Sequence, residues 1–158
     1  MCPCLVLLIM HITEEEGRAL AEIPKFGEPL IEWRQDRPNS ISNIFGVTND
    51  INQGIKGLYV EFCVIGSPRL ALPKYVLTLM KQELACHNRA YQLEINCRPS
   101  TNVHDNSHEH YGTYPEGRYK AEADWPKSNL EEAIQLFCKK CNLTLSENVP
   151  DYRAFALK

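Results

Sequence analysis

The sequence predicts an α+β fold in which an antiparallel sheet of about five strands is flanked by an N-terminal and a C-terminal helix. Two segments near the ends of the chain combine capping signals with helical spacing of apolar residues, and short β-rich runs separated by turn-forming clusters lie between them. The 158 residues are enough to bury one hydrophobic core. We therefore predict a single domain over residues 1–158, with its core at about residues 10–145 and a loose tail over residues 146–158.

The first helix is predicted to begin after Thr13, because Glu16 follows three residues later and the pair forms a capping box. Acidic side chains fill its first turn, where the helix dipole favours negative charge. Apolar residues recur on one face, and Pro24 predicts the end of the helix near Ile23.

The middle of the chain is predicted to be extended. The expected strands are Leu30 to Arg34, Ile41 to Thr48, Leu58 to Val64, Tyr75 to Lys81, Arg89 to Arg98 and His108 to Tyr114. Tyr75 to Lys81 and Arg89 to Arg98 are expected to form a hairpin. The second of these alternates, so that Tyr91, Leu93, Ile95 and Cys97 face the core while Gln92, Glu94, Asn96 and Arg98 face water or a site.

The last helix is predicted to be capped by Ser128, with Glu131 completing a second capping box. Six residues recur at offsets that place them on one helical stripe, which indicates a face packed on the core. They are Leu130, Ala133, Ile134, Phe137, Cys138 and Cys141.

Composition limits the binding partners and the cellular compartment that we expect for this chain. The formal charge of −3 disfavours a surface built mainly to hold nucleic-acid backbones, although it leaves room for a local basic cleft. The longest apolar run, residues 5–10, is far shorter than a membrane-spanning helix needs, and its flanks do not resemble a signal peptide. Seven cysteines are an odd number, so they are predicted to be mostly reduced thiols. We expect a cytoplasmic protein with no membrane partner and no cofactor.

Two cysteine pairs have spacings found in metal sites. Cys138 and Cys141 form a C-x-x-C pair, but both belong to the apolar stripe of the last helix, where reduced cysteine behaves as a small hydrophobic residue. Together with Cys2 and Cys4 they would give four thiolates for zinc, with poor geometry for a tetrahedral ion. Buried thiols are therefore the favoured interpretation.

The segment from 98 to 111 carries the strongest functional signal. His104, His108 and His110 are three of the five histidines of the chain, and they lie within seven positions. If residues 108–111 are extended, His108 and His110 project from one face. Arg98 ends the preceding polar strand face, where Glu94 and Asn96 are candidate binding residues.

Three interpretations of this segment stay open. It forms a solvated hairpin connection, or a divalent metal site of His104, His108 and His110, with Asp105 as another candidate ligand, or an acid–base site. In the last case His108 and His110 exchange protons, Arg98 holds a phosphate and Tyr111 assists, which suits metal-independent cleavage of RNA.

The chain resembles a family of small uncharacterised proteins from bacteria and their mobile elements. The likeness rests on the I-T-E-E-E segment at residues 12–16 with Pro24 and Lys25, on R-P-S-T-N at 98–102, on H-E-H-Y at 108–111 and on C-N-L at 141–143. It covers about residues 10 to 143. It implies that Thr101 and Asn102 contribute to binding and that Met10 is the natural start.

This sequence departs from the family pattern at two places. Ser100 replaces the first histidine of the motif, and Tyr111 follows His110 directly. The loss of that histidine weakens an inherited catalytic role. More distantly, the order of these segments is similar to TumE-like toxins of toxin–antitoxin pairs, which are regarded as RelE-like ribonucleases.

Two classes of function follow. The first is a toxin-like protein that cleaves RNA with a histidine pair. The second is a non-enzymatic factor that binds a cognate protein, such as an antitoxin, an immunity protein or a counter-defence protein, in which acidic surface guides association.

Overall fold

Strands dominate the computed structural model, which describes residues 11–66, 72–98 and 106–155 apart from the side chain of Asp36. Within those residues two α-helices are formed, α1 over Glu14–Glu22 and α2 over Leu130–Lys140. Short 3-10 turns occupy Pro115–Gly117 and Tyr152–Phe155. The strands are β1 Lys25–Gly27, β2 Arg34–Arg37, β3 Ser40–Thr48, β4 Gly54–Ile65, β5 Lys74–Glu83, β6 Cys86–Asn96, β7 His108–Tyr111, β8 Arg118–Lys120 and β9 Leu143–Leu145.

All nine of these strands belong to one mixed sheet, in the order β8-β7-β6-β5-β4-β3-β1-β9, with β2 also paired to β3. Strands β3 to β8 form an antiparallel meander, whereas β1 and β9 are parallel. The predicted α+β fold with about five strands between two helices is therefore wrong, since the protein is mostly sheet. The expected strand at Leu30 to Arg34 is also replaced by β2, which begins only at Arg34.

Short strands explain the error in fold class. Strands β1, β2, β8 and β9 contain three or four residues each, which is too few for an alternating pattern to stand out. The longer strands, in contrast, were predicted as β-rich runs between turn-forming clusters, and the strand from Arg89 also from its alternation. The hairpin of β5 and β6 is confirmed by antiparallel pairing along both strands, interrupted by one register shift.

One face of the sheet carries the core. The predicted inward row of β6 is confirmed, because Tyr91, Leu93 and Ile95 are fully buried. Helix α2 packs on this face through Phe137, whose ring lies 5.4 Å from that of Phe62 and 5.7 Å from that of Tyr91. Helix α1 reaches the same face through Arg18, which lies over the ring of Tyr111. We call the opposite face of the sheet the outer face.

The helix caps agree with the sequence at one end of the chain and differ by one residue at the other. The Thr13 hydroxyl accepts a 3.1 Å hydrogen bond from the Glu16 backbone N–H, as predicted. Helix α2 is capped by Asn129, which accepts from the Glu132 N–H at 3.0 Å, so the assignment of Ser128 as its cap is wrong. Serine and asparagine are both good N-cap residues, so residue type does not show which of the two neighbours caps the helix.

Lys25 joins the ends of the two helices. The Lys25 residue is 1% exposed, and its ammonium donates hydrogen bonds to the carbonyls of Ala21 at 3.0 Å and Cys141 at 2.6 Å, and also to that of Ile23. Burial lowers the pKa of Lys25 to about 8. A single side chain thus satisfies carbonyls that helix geometry leaves unpaired at both C-terminal ends.

The segment after β9 contacts the core, where the sequence predicts a loose tail over residues 146–158 from which Tyr152 and Phe155 could dock. Tyr152 is 7% exposed, and its ring contacts those of Trp33 and Tyr75. The Trp33 indole N–H donates to the carbonyl of Pro150 at 2.7 Å. The apolar run at residues 5–10, the suggested start at Met10 and the last three residues lie outside the described residues. Within the described ranges, no helix has the length and apolar character needed to cross a membrane.

Candidate acid–base site on the outer face of the sheet

Strand register places two imidazoles side by side on the outer face. Across β6, β7 and β8, Glu94 pairs with His108 and His108 with Lys120, while Gln92 pairs with His110 and His110 with Arg118. Because side chains alternate along a strand, all six project from one face. The rings of His108 and His110 have centroids 4.8 Å apart and meet edge to face at 80°.

A β-bulge adds a second guanidinium to this face. The pairing of β5 with β6 shifts between Leu79 and Met80, so that Ala90 is the extra residue of β6. An extra residue reverses the alternation of a strand. Arg89 therefore joins the outer face, where it donates to the Gly112 carbonyl at 3.0 Å and lies 3.4 Å from Gln92 Oε1.

A chain of charged groups holds His108. Lys74 Nζ lies 2.5 Å from Glu94 Oε1, and Glu94 Oε2 lies 3.7 Å from His108 Nε2. On the other side of the ring, Nδ1 is 2.7 Å from the carbonyl oxygen of Asn106. Glu94 and His108 are only 8% and 6% exposed, so this carboxylate and imidazole interact largely out of water.

These contacts fix the tautomer of His108. A carbonyl oxygen only accepts hydrogen bonds, so Nδ1 carries a proton and donates it to Asn106. The Arg118 guanidinium lies 3.4 Å from the same Nδ1, a distance that we treat as a close contact because the ring nitrogen is already a donor. Nε2 faces the Glu94 carboxylate and is the atom at which His108 gains or gives a proton.

His110 has a different environment. Its Nδ1 is buried and finds no hydrogen-bond partner among the described residues. Burial lowers the pKa of His110 to about 4, and the neighbouring Arg89, His108 and Arg118 add to the shift. His110 is thus neutral at pH 7 and able to accept a proton, while His108 lies beside a carboxylate.

Two predicted site residues lie elsewhere. Arg98 is exposed beyond the end of β6, four residues past Glu94, which corresponds to about 13 Å along a strand. Tyr111 lies on the core face, under Arg18 at 3.9 Å and beside Tyr91, and burial raises its pKa to about 12. The structure thus brings together the two histidines and Glu94, and separates them from Tyr111 by the thickness of the sheet.

Of the remaining candidate residues, Asn96 lies in the described part of the chain and the others do not. Asn96 lies on the outer face, where its backbone N–H donates to Ser107 Oγ at 2.9 Å and its side-chain oxygen accepts from the Arg98 N–H at 3.0 Å. Thr101, Asn102 and His104 lie outside the described residues, as does Asp105. The three-histidine metal site therefore stays a prediction. Within the described part of the chain, no three His, Cys, Asp or Glu side chains are arranged to hold a metal ion.

Cys138 of α2 and Cys141 at its C-terminal cap lie on the core side, as the apolar stripe indicated. Cys141 is fully buried and Cys138 packs against the core. Burial raises the pKa of Cys138 to about 11 and that of Cys141 further still, so both thiols are protonated at neutral pH. Cys2 and Cys4 lie outside the described residues.

Sequence reasoning missed Lys74, Arg89 and Arg118. A signal for Arg118 was present, since Arg118 and Lys120 alternate around Tyr119 as His108 and His110 alternate around Glu109. No comparable signal marks Arg89, because its orientation depends on the bulge.

Comparisons of this chain with protein-family models, with curated proteins and with solved structures give no match. The resemblance to the bacterial and mobile-element family therefore stays a prediction. Fold and site together define a mostly-β protein whose outer sheet face holds two imidazoles in contrasting environments among cationic side chains.

Proposed function

We propose that the protein is a metal-independent RNA-cleaving enzyme that uses His110 as general base and His108 as general acid. The observation that carries this proposal is the contrast between two touching imidazoles. His110 is neutral and has an unpartnered ring nitrogen, whereas His108 Nε2 faces a carboxylate. Paired titratable groups with opposed environments are typical of acid–base sites.

The reaction follows from these positions. His110 takes the proton of a ribose 2′-hydroxyl, whose oxygen then attacks the neighbouring phosphorus. The bond from phosphorus to the 5′-oxygen breaks, and His108 Nε2 gives that oxygen a proton. The products are a 2′,3′-cyclic phosphate and a free 5′-hydroxyl, and a final exchange of protons with water restores both histidines.

The charges around the histidines suit this chemistry. Arg118 and Arg89 lie next to the imidazoles. Their positive charges stabilise the negative charge that develops on the phosphoryl oxygens. Glu94, held by Lys74, lies beside the imidazolium that His108 forms when it carries a proton. Arg118 and Arg89 replace Arg98 in the role of phosphate contact.

Cleavage of an oligonucleotide with a single ribonucleotide in a deoxyribonucleotide strand tests the proposal. We expect wild-type protein to cut this strand in the presence of EDTA and to leave a cyclic phosphate. His110→Gln and His108→Gln should each lower the rate by about 10²- to 10⁴-fold. A matched control is His87→Gln, because His87 is exposed and pairs with Tyr59 away from the site. Equal rates for wild type and the His108→Gln/His110→Gln double variant would rule the proposal out.

A protein-binding role is the second candidate, and it is favoured by the enclosure of His108 and by large apolar side chains on the surface. Ile31 and Leu84 are 84% and 88% exposed. If expression of the protein slows cell growth because it binds a cognate protein, the double histidine variant should slow growth to the same extent, whereas Leu84→Asp combined with Ile31→Asp should not slow it. Loss of the growth effect in the histidine variant alone excludes this candidate.

A further inference from the structure

A cavity of about 770 Å³ lies between α2, β9 and the chain that follows β9. Its apolar lining includes Leu130, Ile134 and Cys138 of α2 and Leu143 and Leu145 of β9. Binding pockets in proteins usually have volumes of roughly 300–1,000 Å³. The cavity therefore has the size of a binding site. It lies far from the histidine pair, because β9 and β8 are at opposite ends of the sheet.

The cavity follows the edge of β9. Leu143, Thr144 and Leu145 all line it. Their side chains alternate between the two faces of the sheet, since Leu143 is buried and Thr144 is exposed. A space that meets three consecutive residues of a strand has to reach the edge of that strand. One edge of β9 is paired with β1, and β9 is the last strand of the sheet, so the cavity lies along the other edge.

The backbone of β9 directs hydrogen-bonding groups to this second edge. The Lys25 N–H donates to the Asn142 carbonyl at 2.9 Å, and the Ser146 N–H donates to the Gly27 carbonyl at 3.0 Å. Residues 142 and 146 therefore bond towards β1. Neighbouring residues of a strand direct their backbone groups to opposite sides. The N–H and C=O of Leu145 consequently point away from β1 and are placed to pair with a further strand.

The two ends of the sheet differ in the charge of their edge strands. Natural sheets usually protect an exposed edge with charged side chains, above all lysine. Strand β8 carries Arg118 and Lys120, whereas the sequence of β9 is Leu-Thr-Leu. An uncharged edge beside a cavity suits the addition of an extended peptide, in which main-chain hydrogen bonds supply affinity and alternate side chains enter pockets.

Hydrogen bonds to the core hold the walls of the cavity. The Tyr75 hydroxyl donates to the Ser128 carbonyl at 2.8 Å, just before α2. The indole of Trp33 donates to the Pro150 carbonyl in the segment after β9. Tyr75, Ser128 and Pro150 all line the cavity. A site whose walls are already fixed costs little conformational entropy when a ligand binds.

Acidic residues predominate among the charged residues that line the cavity in the described part of the chain. They are three carboxylates and one guanidinium, from Glu131, Glu147, Asp151 and Arg153. Opposite charges favour association and like charges disfavour it. The cavity therefore favours a basic peptide over a nucleic-acid strand. A second copy of the chain is also disfavoured, because pairing of two β9 edges brings the same carboxylates together.

We propose that the open edge of β9 binds an extended, basic segment of a partner protein, which joins the sheet as a further strand. The segment pairs with the N–H and C=O of Leu145, and every second side chain enters the cavity against Ile134 and Leu143. Basic side chains of the segment lie near Glu147 and Asp151. Four extended residues span about 13 Å, which matches the roughly 12 Å between Leu130 and Cys138 along α2. This interaction is independent of RNA cleavage by the histidines on β7.

Selection from a displayed library of random eight-residue peptides, performed on the wild-type protein at pH 7, provides the probe. We expect enriched peptides to carry apolar residues at alternate positions with lysine or arginine between them. The most enriched peptide is then labelled with a fluorophore, and its affinity is measured by anisotropy. If no peptide is enriched, or if the enriched peptides are acidic, the proposal is overturned.

Methylation of single amide nitrogens in this peptide tests the pairing with β9. Each N-methyl group removes one donor, and only alternate N–H groups of an added strand face its neighbour. We expect affinity to fall by about ten-fold or more at every second position and much less at the positions between. A loss of affinity that does not alternate along the peptide would show that it binds in another way.

Two variants of the protein locate the bound peptide. Gln135→Trp places a large ring in the cavity from an exposed position of α2 and should weaken binding by about ten-fold or more. The matched control is Lys139→Trp, one turn further along α2 and outside the lining of this cavity, which should bind as wild type does. Leu145→Pro removes the N–H that points away from β1 and should also abolish binding. Equal affinities of Gln135→Trp and wild type overturn the proposal, whether or not Leu145→Pro folds.

Sedimentation velocity separates a partner protein from a second copy of the chain as the occupant of this edge. We expect wild-type protein to sediment as a monomer that binds one labelled peptide. A wild-type dimer that Gln135→Trp converts to a monomer, while Lys139→Trp stays dimeric, would mean that the edge pairs with another copy of this chain. That result overturns the assignment to a partner protein.

Discussion

Lys25 donates a 2.6 Å hydrogen bond to the carbonyl oxygen of Cys141, although the two residues are 116 positions apart. The same ammonium bonds Ala21 and Ile23 at the end of α1. This contact ties the first helix to the last through one buried side chain.

We predict that Lys25→Met destabilises the protein by about 2–4 kcal/mol, because three carbonyls lose a charged donor in a place that water does not reach. The free energy of unfolding from urea titration measures the effect. Lys139→Met provides the control, since Lys139 is exposed on α2 and its loss should change stability by less than about 0.5 kcal/mol. Equal stability of the two variants would mean that the ammonium has no net stabilising role.

Gly17 permits the close approach of α1 to the bulge of β6. A Cβ at this position would lie 2.5 Å from both the Ala90 carbonyl oxygen and the Gly112 nitrogen. We therefore expect Gly17→Ala to destabilise the fold by about 2–4 kcal/mol, even though alanine favours helices, because backbone atoms have to move. Gly46→Ala is the matched control: a Cβ there meets nothing within 4 Å. Thermal and urea unfolding should rank the two variants in this order.

Tyr91 donates a 2.7 Å hydrogen bond to the carboxylate of Glu109, which is 6% exposed. We predict that Tyr91→Phe lowers the free energy of unfolding by about 1.5–3 kcal/mol, because a buried carboxylate loses a donor and keeps only Lys140 among the partners in the described part of the chain. Tyr114→Phe, at an exposed tyrosine, should be nearly neutral. A neutral Tyr91→Phe would show that Glu109 does not depend on this bond.

The free energy of unfolding is expected to decrease as the pH falls from about 6.5 towards 4, because the pKa of His110 differs between the folded and the unfolded protein. Its pKa of about 4 in the folded protein lies below the value of 6.5 for an unperturbed histidine, so the unfolded chain binds more protons between these values. The contribution is complete above pH 6.5 and is lost as pH falls towards 4. It amounts to about 1–2 kcal/mol once solvent screening of a half-buried group is considered. Urea titrations at pH 7 and pH 4.5 should show a smaller pH effect in His110→Gln than in wild type, and an identical effect in both proteins would contradict the assignment.

The sequence allowed prediction of the features that depend on neighbours along the chain. The buried row of Tyr91, Leu93 and Ile95 followed from strand alternation, and the Thr13 cap followed from local spacing. Strand β1 was missed because its three residues carry no periodic pattern and one of its two partner strands, β9, lies more than a hundred residues away. The short length of β1, β2, β8 and β9 accounts for most of the error in fold class, and the distant pairing of β1 with β9 adds to it.

The candidate site was likewise predicted where it depends on neighbours along the chain and missed where it depends on strand pairing. Placing His108 and His110 on one face required only the alternation of β7. Arg98 was chosen as their cationic partner because it lies nearby in sequence, whereas the structure places Arg118 and Arg89 beside the histidines through strand pairing and through a bulge. Contacts between residues on different strands could not be predicted, because the pattern of a single strand does not specify its partner strands.

The parallel pairing of β1 with β9 has a consequence for folding during synthesis. Residues 25–27 leave the ribosome more than a hundred residues before the strand that covers them, residues 143–145. Until then β1 has an open edge, and the acceptor of Lys25 at Cys141 does not yet exist. Completion of the sheet therefore waits until residues 143–145 have been made, and a nascent chain that ends before residue 141 should expose the region around β1 to proteolysis.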